Sequence, residues 1–131
     1  MKKIYLDTNF LLIPIQFKVD IFGEIDRICD FPKETFVLSN TIDELRKIVL
    51  KQKGKDKEAA KIAIQIVERR VKQKSLNITA FSKETGVDDI LVELADKDTI
   101  IATQDKELKR RIKEKGGKII ILKSKKYLQL M

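Results

Sequence analysis

Five acidic residues stand where a folded chain would gather them. Asp7 ends a short, mostly apolar run, Lys2–Leu6, and Asp105 follows Thr103 and Gln104 at the end of another, Thr99–Thr103. Glu44 opens the amphipathic segment after a third apolar run, Thr35–Ser39, and Asp88 and Asp89 open a further amphipathic segment. In open parallel sheets ligands bind beyond the carboxyl ends of the strands, so these carboxylates are expected at one edge of the fold. Each alone would serve equally well as a helix cap or a partner for a helix dipole. Their convergence is what carries chemistry. Crowded carboxylates raise one another's pKa unless a cation compensates. Mg²⁺ or Mn²⁺ suits such a set of hard oxygen donors. A metal of this kind polarises a phosphate, lowers the pKa of an attacking water and offsets leaving-group charge.

Other chemistries drop out early. The chain of 131 residues has no histidine, so histidine acid–base pairs, histidine-dependent triads and histidine metal centres are excluded. The single cysteine, Cys29, rules out an internal disulfide and a cysteine zinc ribbon, and its apolar neighbours Ile25, Ile28 and Phe31 mark it as a core residue. No Gly-x-x-x-x-Gly-Lys loop occurs, and Gly116-Gly117 follows a helix without the spacing of a dinucleotide fold.

The elements that must position the acids alternate in type. Strands are expected at Lys2–Leu6, Thr35–Ser39, Leu76–Thr79, Thr99–Thr103 and, last, Lys118–Leu122. Helical periodicity covers Phe10–Ile15, Ile21–Ile28, a stripe of Ile42, Leu45, Ile48 and Val49, a long segment from Glu58, a segment from Asp88, and Asp105–Lys115. Thr41 and Glu44 have capping-box spacing. This pattern predicts one domain over residues 1–131, a three-layer α/β/α sandwich around a central, mainly parallel sheet. No run approaches membrane-spanning length and no leader is evident, so no membrane partner and a cytoplasmic location are expected.

Four stretches in order resemble the PIN-domain family: Leu6-Asp7-Thr8-Asn9-Phe10-Leu11-Leu12, Thr41-Ile42-Asp43-Glu44-Leu45, Val87-Asp88-Asp89-Ile90-Leu91-Val92 and Ile101-Ala102-Thr103-Gln104-Asp105. The resemblance implies a metal-dependent endoribonuclease with an α/β/α fold. By position it assigns Asp7, Glu44, Asp89 and Asp105 as the catalytic, metal-binding acids, with Asn9, Thr103 and Asp88 supporting them. Asp89 is preferred to Asp88 because it holds the place of the family acid ahead of the apolar helix face. Within the family, Asp105-x-x-Leu-Lys-Arg-Arg-Ile is similar to the PIN nucleases of small-subunit ribosomal RNA processing. VapC-type toxins, which pair with an antitoxin, share the core, and a non-catalytic RNA-binding scaffold is a further alternative.

Charge points to the same class of partner. Residues 1–50 hold 7 Lys/Arg against 8 Asp/Glu, whereas residues 51–131 hold 21 against 12. Such asymmetry favours a polyanion, with nucleic acid ahead of membrane. The resemblance implies RNA, first of all a ribosomal RNA precursor. Lys106, Lys109, Arg110, Arg111 and Lys113 share the helix that starts at Asp105 and are the candidate phosphate contacts. Tyr127 is the aromatic residue available for base stacking. A homodimer is compatible with all of this, as is an antitoxin partner under the toxin reading.

Overall fold

A computed structural model describes residues 1–82 and 84–131. Among these described residues, six strands join one sheet: β1 (Lys2–Leu6), β2 (Lys33–Leu38), β3 (Asn77–Thr79), β4 (Thr99–Ala102), β5 (Lys118–Lys123) and β6 (Tyr127–Leu130). Their order is β3-β2-β1-β4-β5-β6. All neighbours are parallel except β5 and β6. The chain winds outward from β1 through β2 to β3, then returns to place β4 on the other side of β1. The reversal between β1 and β4 is the switch point at which an open α/β sheet leaves a crevice.

The strands are short and apolar because they are covered on both sides. Ile4, Leu6, Ile100, Ala102 and Ile120 face one core, and Tyr5, Ile101 and Ile119 face the other. The first core is closed by α1 (Thr8–Leu11), α2 (Ile13–Phe17), α3 (Ile21–Ile28), α4 (Ser39–Lys51) and α5 (Lys55–Lys72), through Phe10, Ile13, Ile25, Leu45, Ala63 and Val67. The second is closed by α6 (Val87–Leu94) and α7 (Lys106–Glu114), through Ile90, Leu91, Leu108 and Ile112. This is the expected three-layer sandwich. Cys29 is buried, as its apolar neighbours require. Among the described residues, no helix is long and apolar enough to cross a membrane.

Four local expectations are corrected. The Phe10–Ile15 periodicity is two short helices that meet at Leu12, with Pro14 inside the first turn of α2, where its missing N–H costs little. Lys118–Leu122 is not the last strand. A turn with Ser124 and Lys125 at positive φ sends the chain back as β6, where Leu128 is buried and Tyr127 is 41% exposed at the sheet edge. α4 begins at Ser39, so Thr41 is its third residue and does not cap it, and its buried hydroxyl has no partner among the described residues. α6 is preceded by Gly86 at its cap position, so Asp88 sits inside the first turn without capping it.

Candidate active site

The crevice beyond β1 and β4 is built around one buried carboxylate. Asp7 follows β1, caps α1 by accepting a 2.8 Å bond from the Thr8 backbone N–H, and is only 4% exposed. Its second oxygen accepts a 2.6 Å bond from the Thr103 hydroxyl, itself buried at the end of β4. Thr103 Oγ1 in turn accepts from the Asp105 backbone N–H at 3.0 Å. The Asn9 side-chain oxygen accepts from the Gln104 N–H at 3.1 Å. Two polar side chains therefore stitch the β1 and β4 ends together and fix the direction in which Asp7 points.

That position has an electrostatic cost. Burial, with smaller contributions from Asp88 and Glu44, raises the Asp7 pKa from 3.8 to about 6, against the bonds from Thr103 and Thr8. Asp88 is also raised, first by desolvation and then by Asp105, while Arg111 opposes the rise. Like charges held together in this way are relieved by a cation.

Asp7, Thr8, Asn9, Glu44, Lys47, Asp88 and Asp105 line one open cleft of about 490 Å³, with Leu12 and Ile48 as its apolar wall. Glu44 reaches in from α4, where it accepts a short bond from the Thr8 hydroxyl. Asp105 caps α7 through a 2.9 Å bond from the Leu108 N–H. Among the described residues, no three acidic side chains are yet grouped closely enough to enclose a metal. The cleft's oxygen donors are the four carboxylates, the Thr8 hydroxyl and the Asn9 amide, with Lys47 the one cation among the described lining residues. This set of hard oxygens fits a divalent cation that keeps some of its waters.

The cleft lining includes Asp88 and not Asp89, the acid preferred from the sequence. Asp88 lines the cleft, whereas Asp89 is turned away and accepts a 2.8 Å bond from Arg111 Nη2 on α7. The helix wheel gives the reason. With Val87, Ile90, Leu91 and Leu94 facing the sheet, Asp88 lies about 110° from the centre of the apolar stripe and Asp89 about 150°, nearer its back.

The basic helix is also less free than its composition implies. Arg110 is held between Glu107, with Nε donating at 3.1 Å, and Glu114, and Arg111 is engaged by Asp89. Lys106 and Lys113 are exposed and Lys109 is partly so. Tyr127, on β6, is not part of the cleft lining. Two further residues line the cleft: Thr8, which the sequence reading does not single out, and Lys47, which it includes only within the basic run Arg46–Lys57. Thr8 follows Asp7 directly, and Lys47 lies one turn from Glu44 on the same face of α4. Both spacings are visible, and neither residue type draws attention alone.

Comparison with known proteins bears on the family and the fold. A family model described as a PIN like domain matches residues 4–125. Ribonuclease VapC4 of Methanocaldococcus jannaschii is 30% identical over 131 residues, covering 99% of this chain and 97% of that protein. Ribonuclease VapC9 of Archaeoglobus fulgidus is 31% identical over 123 residues, covering 92% of this chain and 83% of that protein. Among solved structures, the PIN domain endonuclease Utp24 superposes with a TM-score of 0.76 over 98% of this chain and 90% of its own, at 24% identity.

Proposed function

This chain belongs to the PIN-like domain family, and on that premise we propose that it is a metal-dependent endoribonuclease of the VapC kind. The observation that carries the proposal is a buried carboxylate, Asp7, fixed by Thr103 at the floor of a cleft whose rim holds Glu44, Asp88 and Asp105. These four acids hold Mg²⁺ or Mn²⁺. The metal, when bound, supplies Lewis-acid polarisation of the phosphate and a water acidic enough to attack near neutral pH. Thr103 and Asn9 keep Asp7 oriented, and Thr8 holds Glu44 toward the cleft. Lys47, on the cleft wall, neutralises phosphate charge beside the acids. Asp89 acts only through its pair with Arg111, which braces α6 against α7.

Both of these relatives are VapC ribonucleases aligned over nearly this whole chain, and this supports the toxin-type reading over ribosomal RNA processing. The likeness to Utp24 supports the fold alone. Under this reading the partner is a small inhibitory protein that covers the cleft, and the enzyme acts in the cytoplasm. The test is expression in a heterologous cell together with incubation of the purified protein with cellular RNA, with and without Mn²⁺. Growth arrest and metal-dependent internal cuts, both lost in Asp7→Asn, are expected. Arrest relieved by a neighbouring gene product marks the toxin role. Cuts confined to ribosomal RNA precursors, without arrest, mark the processing role instead.

A further inference from the structure

A second, smaller cavity of about 240 Å³ adjoins the cleft and shares two of its wall residues, Leu12 and Ile48. Its remaining lining is Gln16 of α2, Gln52 at the end of α4, and Asp56 and Ala59 of α5. Because the walls are shared, a single strand seated in the cleft can turn one of its groups into this cavity. We propose that the cavity is a nucleobase subsite that takes adenine or cytosine, whose amino group stands where guanine and uracil carry a carbonyl oxygen, next to the cleavage point. This rests on the ribonuclease reading of the adjoining cleft.

Three properties select a base over other occupants. First, size: the cavity lies below the roughly 300 Å³ at which sites for drug-sized molecules begin, and it is bounded by the apolar side chains Leu12, Ile48 and Ala59, which suit a flat ring. Second, charge: among the described residues no cation lines it and Asp56 does, so a phosphate is repelled whereas an amino group finds an acceptor. Third, hydrogen bonding: Gln16 and Gln52 are exposed amides, each with a donor and an acceptor, the groups that read base edges in single-stranded RNA.

The register agrees. Glu44, Ile48 and Gln52 descend α4 one turn at a time, which places Gln52 roughly 12 Å along the helix from the acid. That span sets the base one or two nucleotides from the phosphate held in the cleft. The sequence preference of the enzyme is then written on α2 and the end of α4, not on the basic helix α7.

Fluorescence anisotropy with labelled tetranucleotides rA4, rC4 and rU4, and mapping of cuts in a randomised RNA pool with Mn²⁺, test this together. The intact protein should bind rA4 and rC4 about 5- to 50-fold tighter than rU4. Its cuts should show uracil depleted at one position near the break. Gln16→Ala with Gln52→Ala should bring the three affinities within about 2-fold, and Asp56→Ala, which removes the acceptor, should narrow the preference for rA4 and rC4 over rU4. An unchanged Mn²⁺-induced rise in melting temperature certifies that the variants are folded. Equal affinities in the intact protein, a preference for uracil, or a bias that survives the double substitution each overturns the subsite. Variants that alter only the grip of an inhibitory protein, with no base bias to lose, also overturn it and make the cavity a protein-binding surface. If the intact protein cuts no RNA, the ribonuclease reading falls by itself, while the anisotropy still judges the subsite.

Discussion

The Asp7–Thr103 corner and the start of α6 contribute acids to the same cleft by opposite means. At the corner, two strand ends are bonded to each other and the carboxylate is buried, so its position is settled by the sheet before any ligand arrives. At α6, Asp88 and Asp89 are both exposed on the first turn of a helix. Which of them faces the cleft depends only on how that helix rotates onto the sheet. The site thus has a rigid half that accepts an electrostatic cost and an adjustable half that a cation can draw in. A cation that binds only the folded protein offsets that cost and raises stability.

Removing the rigid half should have the largest effect. Asp7→Asn is expected to lower RNA cleavage more than about 100-fold, beyond the range typical of outer-sphere partners of a metal site. It should also abolish the Mn²⁺-induced rise in melting temperature. Without metal, the same substitution should stabilise the protein. The Asp7 pKa is raised to about 6 in the folded state, so the folded protein keeps a proton that the unfolded chain releases above about 4. Stability from this group is full below pH 4 and lost as pH climbs through 6. The variant should therefore gain about 1–3 kcal/mol at pH 8 and nothing at pH 4, as read from denaturant titrations at the two pH values. For the same reason, Mn²⁺ affinity of the intact protein should fall below pH 6, since binding must displace that proton.

Thr103→Val keeps the shape of the corner but removes the hydroxyl that orients Asp7 and accepts the Asp105 N–H. A loss of about 10- to 100-fold in metal affinity or turnover is expected. An unchanged turnover would show that the corner holds its acid without this bond.

Much of the rigid half is legible in the sequence. An apolar run that stops at Asp7-Thr8-Asn9, and another that stops at Thr103-Gln104-Asp105, announce strand ends, and the sheet then leaves little choice of direction. β1 has the bounds its apolar run predicts. The adjustable half is less legible, because two adjacent acids at a helix start differ only in angle around the axis. Counting that angle from Val87, Ile90 and Leu91 favours Asp88, whereas position within the family pattern favours Asp89. β6 escapes notice because a lysine-rich turn separates it from β5, although Tyr127-Leu128-Gln129-Leu130 alternates as a half-covered edge strand should. The free charge on α7 falls short of its composition for a different reason. Glu107 and Glu114 lie three and four residues from Arg110, a spacing that pairs them on one helix face.

The smallest effects should come from α7. Arg111→Gln breaks an exposed pair and should cost less than about 1 kcal/mol of stability. Lys106→Ala, Lys109→Ala and Lys113→Ala together should weaken RNA binding equally across sequences and flatten the salt dependence by about 0.7 for each phosphate no longer neutralised. Adding Arg110→Ala should change little more, because that guanidinium is already held by two carboxylates. A large further loss on that addition would mean that RNA displaces Glu107 and Glu114.

The comparison between the two halves is decided most directly by calorimetric titration of Mn²⁺ into the intact protein, Asp88→Asn and Asp89→Asn at pH 7.5, each checked for folding by its melting curve. The cleft described above predicts a loss of at least about 10-fold in affinity for Asp88→Asn, within the range for groups that support a bound metal or hold it themselves. Asp89→Asn should stay within about 3-fold of the intact protein, the scale of one exposed ion pair. The reverse ranking, or equal affinities in all three proteins, would contradict the assignment of Asp88 to the site.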